Sequence, residues 1–319
     1  MARALSAQGR PVADLLGEHR PSARAPTRPV RAVVLAARPR QWIKNLLVVA
    51  APGAAGVLGH GTELGRTATA FALFCLVASG TYLLNDALDV RADRDHPTKR
   101  LRPVASGAVP AGAAVALGTG TAAAATALAY LFLGWKFGTV VAVYLAITTA
   151  YSLRLKHEPV IELACISSGF ILRAIGGGVA TGVALSDWFL IVTSFGALFV
   201  VAGKRSAEQT ALGDDRARHR RTLGIYPPPF LRSVRLLAAA VTVTAYCLWA
   251  FQRAAVLSRG HHPIWFELSI TPFVLAVLHL ELRFESGHGA APEDLALKDR
   301  SLQVLALLGL ALFTLGVYW

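Results

Sequence analysis

Residues 66–93 read RTATAFALFCLVASGTYLLNDALDVRAD. Nineteen uncharged residues, Thr67 to Asn85, separate Arg66 from Asp86, close to the roughly 20 that a helix needs to cross the hydrocarbon core of a bilayer. Runs of the same kind lie between Lys44 and Glu63, Pro110 and Lys136, Lys136 and Arg154, Trp188 and Gly203, Leu236 and Gln252, Ile264 and Leu282, and Ser301 and Trp319. Another follows Glu162, is interrupted by Arg173 and ends near Asp187. The expectation is an all-α polytopic membrane protein, with about nine transmembrane helices bundled around a polar cavity that faces the cytoplasm. Composition agrees. Of 319 residues 54% are hydrophobic and 16% charged, where soluble chains carry roughly 25% charge, and the mean hydropathy is +0.49. A disordered chain is polar and charge-rich, and a disulfide scaffold needs dense cysteine; both are excluded. Cys75, Cys165 and Cys247 each sit inside an apolar run without metal-type spacing, as small buried thiols do.

The formal charge of +13 invites a nucleic-acid reading, but the positions of the charges argue against it. Lys and Arg crowd into alternate loops, the bias that sets orientation in polytopic proteins. Residues 1–44, 91–102, 154–156, 204–235 and 283–300 hold most of them, whereas the opposite loops have only Arg66, Lys136, Arg253 and Arg259. The N-terminus is therefore expected in the cytoplasm and the C-terminus outside, in the plasma membrane, with no nucleic-acid partner. Residues 1–37, rich in Pro, Ala and Arg, read as a disordered basic arm near anionic headgroups, ahead of a transmembrane domain over 38–319.

The chemistry gathers where the quoted stretch turns charged. Residues four apart advance about 400° around a helix, so Asn85, Asp89 and Asp93 fall on one stripe. Carboxylates and an amide carbonyl are hard ligands suited to Mg²⁺, which shares its coordination with substrate phosphates. A solvated helix end could also carry Asp, but acids there oppose the macrodipole and repel one another. The loop that follows is cationic, with Arg94, Lys99 and Arg102; metal from one side and cations from the other suit a phosphorylated substrate. His96 beside Pro97 reads as a loop residue. Tyr151, Arg154 and Lys156 occupy the next cytoplasmic loop, and Lys204, Arg205 and Glu208 the one after. Lys44 stands at the entrance of the first run. Arg173 lies within the fifth run, where a charge needs a partner; Glu162 is the acid expected.

These motifs resemble those of the UbiA-type intramembrane prenyltransferase superfamily. Asn-Asp-x-x-Asp-x-x-x-Asp at 85–93 is similar to its first acidic motif, and Tyr-Ser-x-x-Leu-Lys at 151–156 to its next cytoplasmic signature. Residues 38–45 (Arg-Pro-Arg-Gln-Trp-Ile-Lys-Asn), 95–103, 203–208, and Pro292-Glu293-Asp294 with Asp299-Arg300 narrow the likeness to its decaprenyl-phosphate phosphoribosyltransferase branch. Members that use prenyl diphosphate carry a second Asp-x-x-x-Asp motif; here that region reads Lys204-Arg205-Ser206-Ala207-Glu208, with Asp214 and Asp215 further on. Cations in place of acids suit an extra phosphate.

The resemblance implies transfer of 5-phosphoribosyl from phosphoribosyl diphosphate (PRPP) to a polyprenyl phosphate such as decaprenyl phosphate. Pyrophosphate is released, and the product is the lipid-linked precursor of cell-wall arabinan in arabinogalactan. It implies Mg²⁺ on Asn85, Asp86, Asp89 and Asp93, with Asp89 and Asp93 central to catalysis. Lys44, Arg94, Lys99, Arg102, Tyr151, Arg154 and Lys156 are then expected to orient phosphates. Lys204, Arg205 and Glu208 are expected at the acceptor phosphate or the ribose 5-phosphate, and the lipid tail between helices. Two alternatives stay open: a prenyltransferase acting on an aromatic or haem acceptor, and a transporter of a phosphorylated solute or lipid. Transport releases no pyrophosphate, and transporter sites lie near the midplane rather than at one interface. The sequence leaves a homo-oligomer open.

Overall fold

The computed structural model describes residues 29–96, 98–212, 221–257, 264–287 and 292–318. Asp214, Asp215 and residues 1–28 of the expected arm lie outside them. Among the described residues twelve α-helices follow in chain order: α1 Pro29–Ala36, α2 Ala50–Ala54, α3 Gly61–Leu88, α4 Val90–Asp95, α5 Ala111–Leu153, α6 Ile161–Thr181, α7 Asp187–Leu212, α8 Arg221–Ile225, α9 Pro228–Leu257, α10 Ile264–Glu285, α11 Pro292–Lys298 and α12 Arg300–Tyr318. Short 3₁₀ turns join several of them, and no strand occurs among the described residues.

Seven of these helices are long and apolar enough to cross a membrane: α3, α5, α6, α7, α9, α10 and α12. The 43 residues of α5 would stretch about 65 Å at 1.5 Å per residue, twice a bilayer core. The chain turns at Gly134, whose φ of 81° and ψ of 175° are non-helical and suit a residue without Cβ. Tyr130 and Thr139 then meet side by side, with hydroxyls 3.4 Å apart. One helix in the hydrogen-bond pattern therefore holds the two expected runs on either side of Lys136.

The run from Lys44 to Glu63 differs from the rest. Pro39–Val49 is 3₁₀ over 11 residues, far beyond the three or four usual for that helix, and α2 and a second turn at Val57–Gly59 complete it. The boundary at residue 37 also needs correction. Residues 29–36 form a helix whose Ala32 and Ala36 are buried against Leu83, Val104, Val109 and Ala114. Ala at a spacing of four gives α1 one narrow face that packs closely, which the Pro and Arg content of the arm conceals.

The main core lies where α3 meets the small-residue face of α5. Ala122, Ala125 and Ala129 are buried with Leu73, Phe74, Val77, Phe137, Val141 and Tyr144. Small side chains let helix backbones approach closely in lipid, and the aromatic rings lock the pair through edge contacts of Phe74 with Phe137 and Tyr144. This packing fixes the end of α3, and with it the acidic motif, at one face of the bundle.

Candidate active site

At that face α3 stops at Leu88, because Asp89 adopts φ −92° and ψ 6°. The i→i−4 bonding nevertheless continues: Asp89 N–H donates to Asn85 C=O at 2.9 Å and Asp93 N–H to Asp89 C=O at 2.8 Å. The expected stripe therefore survives the break. Asn85 Nδ2 donates to Asp89 Oδ2 at 3.1 Å, and Asp93, on α4, is buried.

Three cations hold the stripe. Arg38 pairs with Asp86, whose carboxylate is 1% exposed. Arg102 Nη1 bridges Asp86 Oδ1 at 3.2 Å and Asp93 Oδ2 at 2.7 Å. Lys156 Nζ meets Asp89 Oδ1 at 2.5 Å. Asp86 thus faces the same side as the stripe. Arg38 is the site residue that the motif spacing does not single out. It occupies the left-handed region at φ 54° and ψ 60°, which costs a residue with a Cβ about 1 to 2 kcal/mol, and its guanidinium lies 5.1 Å from the ring centre of Tyr82.

A second cluster forms where α7 meets α5 and α6. Arg205 is 3% exposed and donates to Glu208 at 2.6 Å, Glu162 at 3.2 Å and the Tyr151 hydroxyl at 3.4 Å. Lys204 lies 3.9 Å from Glu208. Residues 151–162 join the clusters, since Lys156 serves the stripe while Tyr151 and Glu162 serve Arg205. Val160, in the same loop, has φ 66° and ψ −47° and gives its N–H to the Tyr226 hydroxyl at 2.7 Å.

Other expected residues turn elsewhere. Arg94 donates to Ala105 C=O at 3.0 Å, bracing the loop, and Arg154 is exposed at the end of α5. Lys44 reaches Gln41. Lys99 gives its backbone N–H to His96 Nδ1 at 3.4 Å, so His96 orders the loop. Asp294 joins Arg40 to Lys298. Asp299 accepts the Leu302 N–H at 3.1 Å as a helix cap and pairs with Arg283. The His279 hydrogen bond first, then the Leu302 N–H and Arg283, hold its carboxyl well below the usual carboxylate range.

The expected Arg173–Glu162 pair does not form. Glu162 goes to Arg205. Arg173 donates to Asn45 Oδ1 at 2.6 Å, Gly169 C=O at 2.6 Å and the Tyr144 hydroxyl at 2.9 Å, and packs over the Tyr144 ring. Aromatic faces and neutral oxygens replace the carboxylate.

The donors of the stripe are hard oxygens, and Asp86 Oδ2 is buried without a hydrogen-bond partner, so the set fits a small divalent cation. Among the described residues no three His, Cys, Asp or Glu groups gather to hold a metal by themselves; here the carboxylates are drawn toward Arg and Lys. An apolar cavity of about 1420 Å³ is lined in part by Leu46, Val49, Trp188, Trp249, Phe273 and Phe313; its lining includes the connection between α6 and α7, at the end of those helices away from Glu162 and Arg205.

The model of the UbiA prenyltransferase family matches residues 46–298. A Corynebacterium glutamicum protein named decaprenyl-phosphate phosphoribosyltransferase is 42% identical over 289 residues, 90% of this chain and 86% of that protein. A Mycobacterium tuberculosis protein of the same name is 44% identical over 292 residues, 90% of this chain and 94% of its own. The solved structure of a UbiA homolog from Archaeoglobus fulgidus bound to DMAPP and Mg²⁺ superposes with a TM-score of 0.65 at 16% identity, covering 89% of this chain and 97% of that one. Its complex with GPP and Mg²⁺ gives 0.64 at 17%, with coverage of 89% and 98%. At such identities the structures speak for the fold alone, but the family model spans most of the sequence: this multi-pass membrane chain belongs to the UbiA prenyltransferase family.

Proposed function

We propose that this chain transfers 5-phosphoribosyl from PRPP to decaprenyl phosphate and releases pyrophosphate. The observation that carries the reading is the 42–44% identity, over about 90% of the chain, to proteins that bear the name of that activity. The site agrees with it chemically. A phosphate oxygen of the acceptor attacks C1 of the ribose, the C1–O bond to the diphosphate breaks, and its electron pair leaves with pyrophosphate. The acceptor oxygen is already anionic and needs little help from a base. The demand falls on the leaving group, and preorganised charge at that point is the largest lever a site has.

Asn85, Asp86, Asp89 and Asp93 are the residues that would hold Mg²⁺, with Asp89 and Asp93 central. Mg²⁺, when bound, neutralises charge on the departing diphosphate. Arg102 and Lys156, already at the stripe, orient its phosphates. Lys44, Lys99 and Arg154 are further cations assigned to orient phosphates, and Arg94 shapes the loop that carries Arg102 through its bond to Ala105. Lys204 faces the acceptor phosphate or the ribose 5-phosphate. Arg205, with Glu162, Glu208 and Tyr151, holds α7 in place rather than a phosphate. The decaprenyl tail lies in the apolar cavity, entering sideways from the bilayer. The Lys and Arg excess puts this face and the N-terminus in the cytoplasm and the C-terminus outside, in the plasma membrane.

The test is donor competition. Protein purified in detergent receives labelled PRPP and labelled prenyl diphosphate together, with decaprenyl phosphate and an aromatic acceptor both present. Mg²⁺-dependent pyrophosphate release and ribose label on the lipid are expected. Prenyl label on the aromatic acceptor, with PRPP untouched, would overturn the reading.

A further inference from the structure

We propose that Arg283, held by Asp299 and His279 in the last turn of α10, binds the phosphate of the lipid acceptor, which leaves Lys204 to the ribose 5-phosphate. The apolar cavity leads toward this cluster. Pro272 and Ala276 on α10 line it, as do Leu305, Ala306 and Gly309 on α12. Pro272, Ala276, His279 and Arg283 recur at steps of three and four residues, so they share one face of α10. That face meets α12 at two levels. Gly309 lies against Pro272, where a Cβ would come within 3.7 Å of the proline Cγ, and His279 and Arg283 both reach Asp299, just ahead of α12. The seam between the two helices is therefore apolar beside the cavity and charged about 10 Å further on, the axial rise from Ala276 to Arg283. A lipid that keeps its tail in the cavity carries its phosphate to the charged end.

The cluster holds Arg283 by one edge and leaves the other open. Arg283 Nε donates to Asp299 Oδ2 at 2.6 Å, and His279 Nε2 meets the same oxygen at 3.0 Å. Oδ1 accepts the Leu302 N–H at 3.1 Å. The Asp299 side chain is 5% exposed and that of Arg283 38%, so a fixed carboxylate anchors a guanidinium that faces outward. Among the described residues its terminal nitrogens, Nη1 and Nη2, have no hydrogen-bond partner, and such a pair of donors suits phosphate oxygens. The acids of the same helix end are engaged elsewhere, since Arg235 on α9 takes Glu281 and Glu285. Phe284 packs where a Cβ on Gly203 would come within 2.3 Å of its ring. Lys204 and Arg283, each next in sequence to one of that pair, therefore stand at the same depth. On the other side Asp294 joins Lys298 to Arg40, and Arg40 is two residues, at most about 7 Å of chain, from Arg38, the partner of Asp86. Ion pairs and short stretches of chain thus connect the acidic stripe to Asp299 along the polar face.

The inference rests on the reading that a lipid phosphate is the acceptor, so its test is binding without turnover. The probes are farnesyl phosphate, whose short tail keeps it soluble, and farnesol, which lacks the phosphate. Each is titrated calorimetrically into the full chain in detergent, and PRPP with MgCl₂ is titrated separately. Wild-type protein should bind farnesyl phosphate about tenfold or more tightly than farnesol, the worth of one charge-assisted hydrogen bond. Arg283→Gln should remove that advantage and leave farnesol and PRPP affinities unchanged, and Arg283→Lys should restore part of it. Lys204→Gln should do the reverse, weakening PRPP and sparing farnesyl phosphate. Where thermal unfolding shows that Arg283→Gln folds poorly, His279→Ala serves. It loosens Asp299 and should weaken farnesyl phosphate alone, while His279→Gln, which keeps a donor toward Asp299, restores it. A cation in the last turn of a helix also answers the helix dipole, and a role confined to that would weaken farnesyl phosphate, farnesol and PRPP together. That result overturns the proposal, as does an unchanged farnesyl phosphate affinity in Arg283→Gln, a wild type that binds the two probes equally, or a Lys204→Gln variant that loses farnesyl phosphate instead of PRPP. A phosphate-dependent affinity lost in Arg283→Gln, in a protein that takes no ribosyl group from PRPP, upholds the site and counts instead against the phosphoribosyl donor.

Discussion

Replacing Arg205 by Met tests whether this residue is a counter-ion or a phosphate ligand. Arg205 is 3% exposed and Glu162 0%, and Arg205 contacts Glu162, Glu208 and Tyr151 within 3.4 Å. Removing one partner of a buried ion pair costs about 3 to 5 kcal/mol, because the charge left behind has no water. Glu208, with a quarter of its side chain exposed at 25%, can turn to solvent; Glu162 cannot. The loss should therefore fall mainly on Glu162, and unfolding of Arg205→Met in detergent should drop by on the order of 10 °C. Adding Glu162→Gln removes the stranded charge. The double variant should recover most of the loss, since a neutral hydrogen bond contributes only about 1 kcal/mol. The assay pairs a thermal unfolding curve with calorimetric titration of PRPP and of decaprenyl phosphate. If the double variant melts like the wild type yet binds either substrate about 100-fold more weakly, equivalent to roughly 3 kcal/mol, Arg205 touches a phosphate and the counter-ion argument fails.

Other perturbations separate the remaining roles. Asp89→Asn keeps size and hydrogen bonding at a position whose side chain is 26% exposed, so folding should survive while pyrophosphate release falls by about 100- to 1000-fold, the usual cost of one charge-stabilising group; near-normal turnover removes Asp89 from the site. Deleting residues 1–28 should leave turnover in detergent intact, whereas deleting 1–37 should lower both stability and turnover by exposing Leu83 and Val104 and freeing Arg38; equal behaviour of the two truncations refutes a packed α1. Gly177→Val should abolish folded protein on size-exclusion chromatography, because a Cβ there would come within 1.8 Å of the Val48 carbonyl oxygen; a monodisperse variant would show that α6 and the 3₁₀ run can separate. Asp299→Asn should destabilise near neutral pH, with an effect that begins to shrink as pH falls below about 4 and is lost only as pH falls through the depressed folded value. A depressed carboxyl contributes above its unfolded pKa and stops contributing as it protonates, so an effect undiminished by pH 3 refutes the assignment.

The apolar spans and the acidic stripe are legible in the sequence because both rest on local pattern. An uncharged run of bilayer length needs no partner to be recognised, and Asn85, Asp89 and Asp93 share a face by helical arithmetic alone. The first span reads as an ordinary helix because its departure from α-helical form is tertiary. Val48 lies against Gly177, where only a hydrogen separates helix α6 from a carbonyl oxygen, and Asn45 is tied to Arg173. Nothing in the residues between Pro39 and Val49 announces contacts made with residues 128 or more positions away. The packing of α1 is hidden for a similar reason. Two alanines at a spacing of four carry little hydrophobic signal, and their burial depends on Val104 and Val109 lying across from them.

The ion pairs are less legible than the helices, although one of them is open to simple geometry. Glu162 and Arg173 stand on one helix, eleven residues apart, which at 1.5 Å per residue separates them by about 16 Å along the axis. No arginine side chain spans three turns, so helical rise alone excludes the expected pair. What arginine can reach from within its own helix is the turn before it, and Arg173 Nη1 donates to the Gly169 carbonyl four residues back. Its remaining partners have to come from other elements, and they are an amide and a phenol instead of an acid. The same reasoning explains Glu162. Placed in the first turn of α6, it can meet only groups at that end of the bundle, and Arg205 near the end of α7 is there. Depth along the helix decides which charges can pair. Arg173 stands just past the midpoint of α6, out of reach of the carboxylates at the polar face, and its charge is met by ring faces and neutral oxygens. Replacing Arg173 by Leu therefore strands no buried acid, whereas replacing Arg205 strands Glu162.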